Sequence, residues 1–306
     1  MTTLAEKLTR LGRQAGKEIC SEQISAPELP RAAPTPRAEI CSEQISRSPL
    51  PEELRRLLGI RLRDPATLGT PRPRRAPDRA LPGDEIAPGL RYLESVHDAP
   101  ALAPVLDCSF AKDFADVEAR LVLALDTETT GLAGGTGTRA FMIGAADLTG
   151  DGRLRVRQLL TTTMAAETAM LRTFAGWLHA RTVLLSYNGR SYDGPLLKTR
   201  YRLARLPCAI TPLAHLDLLH PARRRWRGVY ENCRLATIER RVLQVLREDD
   251  LPGSEAPRAW RDYLQGGDAR DLRRVLEHNH TDVRSLVALL AHMVRAGAQE
   301  RDSPPD

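Results

Sequence analysis

Three short motifs in this 306-residue chain bring together residue types that bind hard divalent cations. The first is Asp126-Thr127-Glu128, which closes the apolar run LVLALD at 121–126. Side chains alternate across a strand, so Asp126 and Glu128 share one face and Thr127 takes the other. Two carboxylates at i and i+2 make an oxygen-rich site suited to Mg²⁺ or Mn²⁺. Taken alone, the same pattern also describes a strand that ends in a polar turn. The second motif runs from Tyr187 through Asn188 and Gly189 to Asp193: a strand end, a glycine turn, and an acid that opens the next helix. Asp193 there suits either a metal or ordinary capping of a helix N-terminus. The third is His278-Asn279-His280-Thr281-Asp282, inside a long helical stretch. His278 and Asp282 are i and i+4, one turn apart on one face, as a surface ion pair would also be. His280 is turned away from both and faces elsewhere.

Carboxylates gathered in one pocket repel one another. A single pair 4 Å apart costs about 4 kcal/mol at an effective dielectric near 20. Two divalent ions roughly 3.5–4 Å apart would relieve that repulsion. An imidazole such as His278 can take a proton from water near neutral pH.

The elements that must position these residues begin at about residue 118, where the hydrophobic pattern tightens. LVLALD suits a buried central strand. RAFMIGAADL (139–148) and RLRVRQLLT (153–161) follow, joined by the turn Thr149-Gly150-Asp151-Gly152, which makes an antiparallel meander. Residues 165–180 have helical period, TVLLSY (182–187) is a strand, 192–204 is a helix, and 206–219 holds one last short strand near its end. Residues 235–247 and 270–295 are helical. The order β-β-β-α-β-α-β-α predicts an α/β fold of the ribonuclease H-like kind, a mixed five-stranded sheet flanked by helices. GLAGGTGTR (131–139) lacks the GK[ST] ending of a P-loop and is read as the link between the first two strands.

The N-terminal third differs. Of the 22 prolines, 14 fall within residues 1–104, so this region is expected to be poorly structured apart from short helices at 3–16 and 51–63. It carries a duplicated segment, EICSEQIS, at 18–25 and 39–46; two copies are too few for a solenoid. Residues 296–306 are expected to be a disordered tail. The net charge is +6, and a basic balance suits a polyanionic partner. The five cysteines show no zinc spacing and no disulfide framework. No stretch reaches the roughly 18 apolar residues that span a bilayer, so no membrane partner and a cytoplasmic location are expected.

The three motifs, with their flanks, resemble a known family. DTETTGLAGGTGTRAF (126–141), SYNGRSYDGPLLKTR (186–200) and EHNHTDVRSL (277–286) are similar to the motifs of the YprB-like ribonuclease H-like domain family, in the DEDD 3′–5′ exonuclease superfamily. HLDLLHPARRRW, CRLATIERRVL and REDDLPGSEAP are similar to that family as well. The resemblance spans about residues 118–295. It implies that Asp126, Glu128, Asp193 and Asp282 hold two Mg²⁺ or Mn²⁺ ions and that His278 is the general base. It also implies a substrate nucleic acid with a free 3′ end, DNA or RNA, and release of nucleoside 5′-monophosphates. Three residues separate His278 from Asp282, the spacing of the superfamily's tyrosine branch rather than its histidine branch. Thr129 and Gly131 would line the terminal nucleotide, and Asn188 would bond a sugar or phosphate or else cap its own turn. Arg223, Arg224, Arg225 and Arg227 around Trp226 suit a phosphate track with a stacking platform, or a solvated basic loop. His215 and Asp217 share a strand face; Asp217 would support the site or simply end its strand. Two alternatives stand beside the exonuclease: a catalytically silent nucleic-acid-binding module, and a structure-specific endonuclease.

Overall fold

The computed structural model of the protein describes residues 76–131, 135–247 and 251–302. The run that ends in Asp126 forms β5 (Val122–Thr129), buried on both faces. A strand covered on two sides needs a continuous apolar sequence, and VLAL supplies it. β6 (Ala140–Leu148) and β7 (Leu154–Thr161) continue the antiparallel meander, and β8 (Val183–Ser186) and β9 (Ala214–Asp217) add in parallel on the other side of β5.

The sheet has seven strands, in the order β1-β2-β7-β6-β5-β8-β9, not five. The extra two are β1 (Asp84–Ala87) and β2 (Leu90–His97), which lie inside the stretch assigned from its prolines to an unstructured region. β2 pairs with β7 along its whole length, from Leu90 opposite Thr161 to His97 opposite Leu154. Its sequence carries no proline and needs only an open strand edge to pair with, which β7 provides. β3 (Val105–Asp107) and β4 (Asp116–Glu118) form a separate two-stranded ribbon. The helix at 3–16, both EICSEQIS copies and the helix at 51–63 lie outside the described residues.

Helices cover both faces. α1 (Glu167–Ala175) and α2 (Asp193–Leu203) bury Leu171, Phe174, Leu197 and Tyr201 against Leu123, Leu125 and Ile143. On the opposite face lie α3 (Leu219–Trp226), the short α4 (Leu235–Ile238), α5 (Ala256–Leu264) and α6 (Arg270–Asp302). At 33 residues α6 is about 50 Å long, enough to cross the whole sheet. It buries Leu286 and Leu290 against β5 and β8, while its first turns and Trp260 of α5 close over Phe141 and Leu160. The helix runs to Asp302, into the residues expected to be a tail.

The helix expected over 235–247 stops early. α4 passes into a π-turn at Glu239–Leu243 and ends at Gln244, whose φ of 56° is left-handed. Arg247 therefore leaves the helix axis and reaches the acidic motifs.

Candidate functional site

Asp126 sits on the α6 face of β5. Opposite it on β6 is Gly144, and opposite that on β7 is Gln158. Asn279 of α6 lies on this row and is fully buried. A side chain at 144 would collide with it, its Cβ lying 2.7 Å from Asn279 Cγ, so only glycine lets α6 approach this closely. Gln158 Nε2 donates to Asn279 Oδ1 at 2.9 Å and to the Leu276 carbonyl at 2.8 Å. That fixes the amide so that Asn279 Nδ2 donates to Asp126 Oδ2 at 2.8 Å. Asn279 and Gln158 are positioning residues that no local spacing signals.

Asp193 comes in from the opposite face of the sheet. It is the first residue of α2, whose N-cap is Tyr192, and no side chain caps that end. The capping role is thus not the one Asp193 plays. Thr127, which alternates away from Asp126, donates its hydroxyl to Asp193 Oδ1. The turn before Asp193 is held by Asp217, which accepts from the backbone N–H groups of Asn188 at 2.7 Å, Arg190 at 3.0 Å and Leu219 at 3.0 Å. Of the two roles open to Asp217, the structure gives it support of this turn. Asn188 adopts φ 70°, and a Cβ at Gly189 would meet Asp193 Oδ2 at 3.1 Å, so the turn is tight against the acid it presents.

Asp282 and His278 project from α6 one turn apart, with His278 Nε2 3.7 Å from Asp282 Oδ2. Arg247 lies between them. It donates to Asp282, and through Nε and Nη2 to both oxygens of the buried Glu239 at 2.7 and 2.6 Å. Arg247 Nη1 is 3.0 Å from His278 Nδ1. A guanidinium only donates, so Nδ1 is an acceptor here and the neutral ring carries its proton on Nε2. Arg247 and Glu239 fall in stretches that resemble the family, but nothing in their sequence spacing links them to His278 or Asp282.

Four buried carboxylates shape the electrostatics of this cluster. Burial pushes Asp126 well above the usual carboxylate range, and the charges of Asp282 and Asp193 add to the shift. Glu128 is raised likewise, by burial and then by Asp126, Asp282 and Asp193. Burial raises Asp193 to about 6 against the pull of the Thr127 hydrogen bond, and raises Asp282 against the pull of His278 and Arg247. Hard oxygen donors, buried and mutually repelling, fit Mg²⁺ or Mn²⁺. Among the described residues, however, no three acidic, histidine or cysteine side chains stand as a finished metal cage. Three of the carboxylates are instead engaged by Asn279, Thr127 and Arg247.

Thr129 is buried beside the site; its hydroxyl donates to the Gly131 carbonyl at 2.9 Å, and Tyr192 donates to the same carbonyl at 2.8 Å. Asn188 is exposed at the turn. The arginines at 223–225 belong to α3, not to a loop, and Trp226 is buried against Tyr230 and His292, so it offers no stacking platform. His280 does face elsewhere, within 3.1 Å of both His97 and Ser95 on β2.

The profile of the RNase H superfamily matches residues 123–294, more than half of the chain and all five of these candidate residues. The chain belongs to the RNase H superfamily. It is also 37% identical over 183 residues to the uncharacterized protein YprB of Bacillus subtilis (strain 168). The match takes in 59% of this chain and spans 44% of that protein's length. RNase H-like nucleases generally act on nucleic acid with divalent metal ions. No helix among the described residues is long and apolar enough to cross a membrane.

Proposed function

We propose that this protein is a metal-dependent 3′–5′ exonuclease of the DEDD type, with Asp126, Glu128, Asp193 and Asp282 as metal ligands and His278 as general base. The observation that carries the reading is the burial of four acids, from β5, α2 and α6, in one mutually repelling cluster with a histidine one turn from the last. Two Mg²⁺ or Mn²⁺ ions would supply the charge that activates water and stabilises the leaving 3′-oxygen. The chain's own residues do the rest. Asn279 and Thr127 orient two of the ligands, and Asp217 holds the turn that presents Asp193. Thr129, Gly131 and Asn188 border the place of the terminal nucleotide. For His278 to accept a proton at Nε2, Arg247 must first release Nδ1, which lets the ring proton move to that side. Release of Arg247 from Asp282 frees a ligand oxygen in the same movement.

The test is degradation of single-stranded DNA and RNA labelled at the 3′ or 5′ end, with Mn²⁺, with Mg²⁺ and with EDTA, for wild type and Asp126→Ala. Metal-dependent loss of nucleoside 5′-monophosphates from the 3′ end, absent in the variant, is the expected result. Internal cuts would favour a structure-specific endonuclease. Equal binding by both proteins with no cleavage of either polymer would favour a catalytically silent binding module.

A further inference from the structure

The outward face of α6 beside the acidic cluster is basic. Arg270, Arg274, His278, Thr281 and Arg284 recur at three- or four-residue spacing and so form one stripe along the helix. They line a single cavity of about 640 Å³, together with Arg273 and with Arg247 from the loop after the π-turn. Five arginines face this space and one carboxylate, Glu277, stands among them. Internal pairing uses part of that charge: Arg273 meets Asp78 at 3.0 Å and Arg274 meets Asp271 at 3.4 Å. Arg270 and Arg284 are exposed and enter no salt bridge among the described residues. The groove is joined to the site by shared residues, because His278 lines both and Arg247 reaches from the groove to Asp282.

We infer that this groove is the backbone track of the substrate strand, taking the phosphates that precede the terminal nucleotide. The inference rests on the exonuclease reading for where the track ends, and on the groove alone for the polyanion it takes. From Arg270 to Arg284 the helix advances about 21 Å at 1.5 Å per residue. A strand lying along that length presents several phosphates to it. A guanidinium suits a phosphate by its forked donors as well as its charge. Exposed arginines contribute little to stability through surface pairs, so their removal tests binding without unfolding the protein.

The experiment compares the full chain, its Arg270→Ala/Arg284→Ala variant and a charge-matched control, Arg223→Ala/Arg227→Ala, whose arginines lie on and after α3. Affinity for fluorescein-labelled oligothymidylate and oligouridylate is measured by anisotropy across a salt series, with Ca²⁺ in place of Mn²⁺. Cleavage of the same strands with Mn²⁺ is followed in parallel. The groove variant is expected to bind roughly tenfold more weakly, and its plot of log affinity against log salt to flatten by about 1.4, at 0.7 per phosphate contact. The control should match wild type. Equal behaviour of the two double variants, whether both weakened or both unchanged, would overturn the track. The cleavage arm speaks only to the exonuclease: an inactive wild type whose binding still depends on Arg270 and Arg284 removes that reading and keeps the groove.

Discussion

At the scale of single residues, Asn279 is the most consequential side chain that holds no metal in this reading. It is buried with a donor to Asp126 on one side and an acceptor for Gln158 on the other. Asn279→Ala would strip Asp126 Oδ2 of this amide donor and leave the Gln158 amide short of a partner. A buried polar group left unpaired costs about 1–3 kcal/mol. Loss of a group that orients a metal ligand typically weakens metal affinity by about 10–100-fold. Calorimetric titration with Mn²⁺ and a thermal melt on the same variant check both figures. Unchanged Mn²⁺ affinity beside a lowered melting temperature would reduce Asn279 to a packing residue. The residues proposed for the chemistry could be singled out in the sequence because strands and helices have fixed side-chain periods. Asp126 with Glu128, and His278 with Asp282, need only those periods to be placed. Asn279 lies inside the same quoted motif, yet its role depends on Gly144 and Gln158, which the meander brings beneath it.

At the scale of elements, the decisive feature is the end of the helix at Gln244. Apolar spacing continues through Val245 and Leu246, so the sequence predicts helix to 247. The structure turns out of the helix instead, and Leu246 stands 79% exposed. What outweighs the helical propensity is Arg247, which pairs with the buried Glu239 and with Asp282. A few tenths of a kcal/mol per residue of propensity is small beside an ion pair whose breaking costs about 3–5 kcal/mol. Arg247→Ala is therefore expected to lower the metal-free melting temperature sharply, because Glu239 stays buried and the acidic cluster loses its internal cation. Mn²⁺ should raise the melting temperature of the variant by more than that of wild type, since no guanidinium competes for Asp282. Melts in EDTA and in Mn²⁺ measure both effects. A metal-free variant more stable than wild type would show that Arg247 does not serve as the compensating charge.

For the whole molecule, the order β7-β6-β5-β8-β9 sets the acids at the centre of the sheet, with α2 and α6 on opposite faces supplying the third and fourth. The two added strands matter to this arrangement through β7. Without β2, the edge of β7 would be open along its length and Leu90 would no longer cover its end, a known route to aggregation. A fragment beginning at residue 118 is thus expected to be poorly soluble and to melt lower than one beginning at residue 76, which keeps β1 and β2. Comparing the two by size-exclusion chromatography and thermal melt decides the matter; equal behaviour would make the extra strands dispensable.

The sequence by itself determined the kind of fold and the order of its central elements, and it singled out the four acids and the histidine proposed as the site. Each of those rests on a local period or on a motif that can be read along the chain. Only the tertiary structure decided what surrounds them. Gln158 and Asn279 are 121 residues apart, and Arg247 and Asp282 are 35 apart. Such pairs form because particular faces pack against one another, and no spacing within a single element encodes that choice. The same holds for β2, a strand whose sequence fits pairing but whose partner edge exists only once β7 has folded into the sheet.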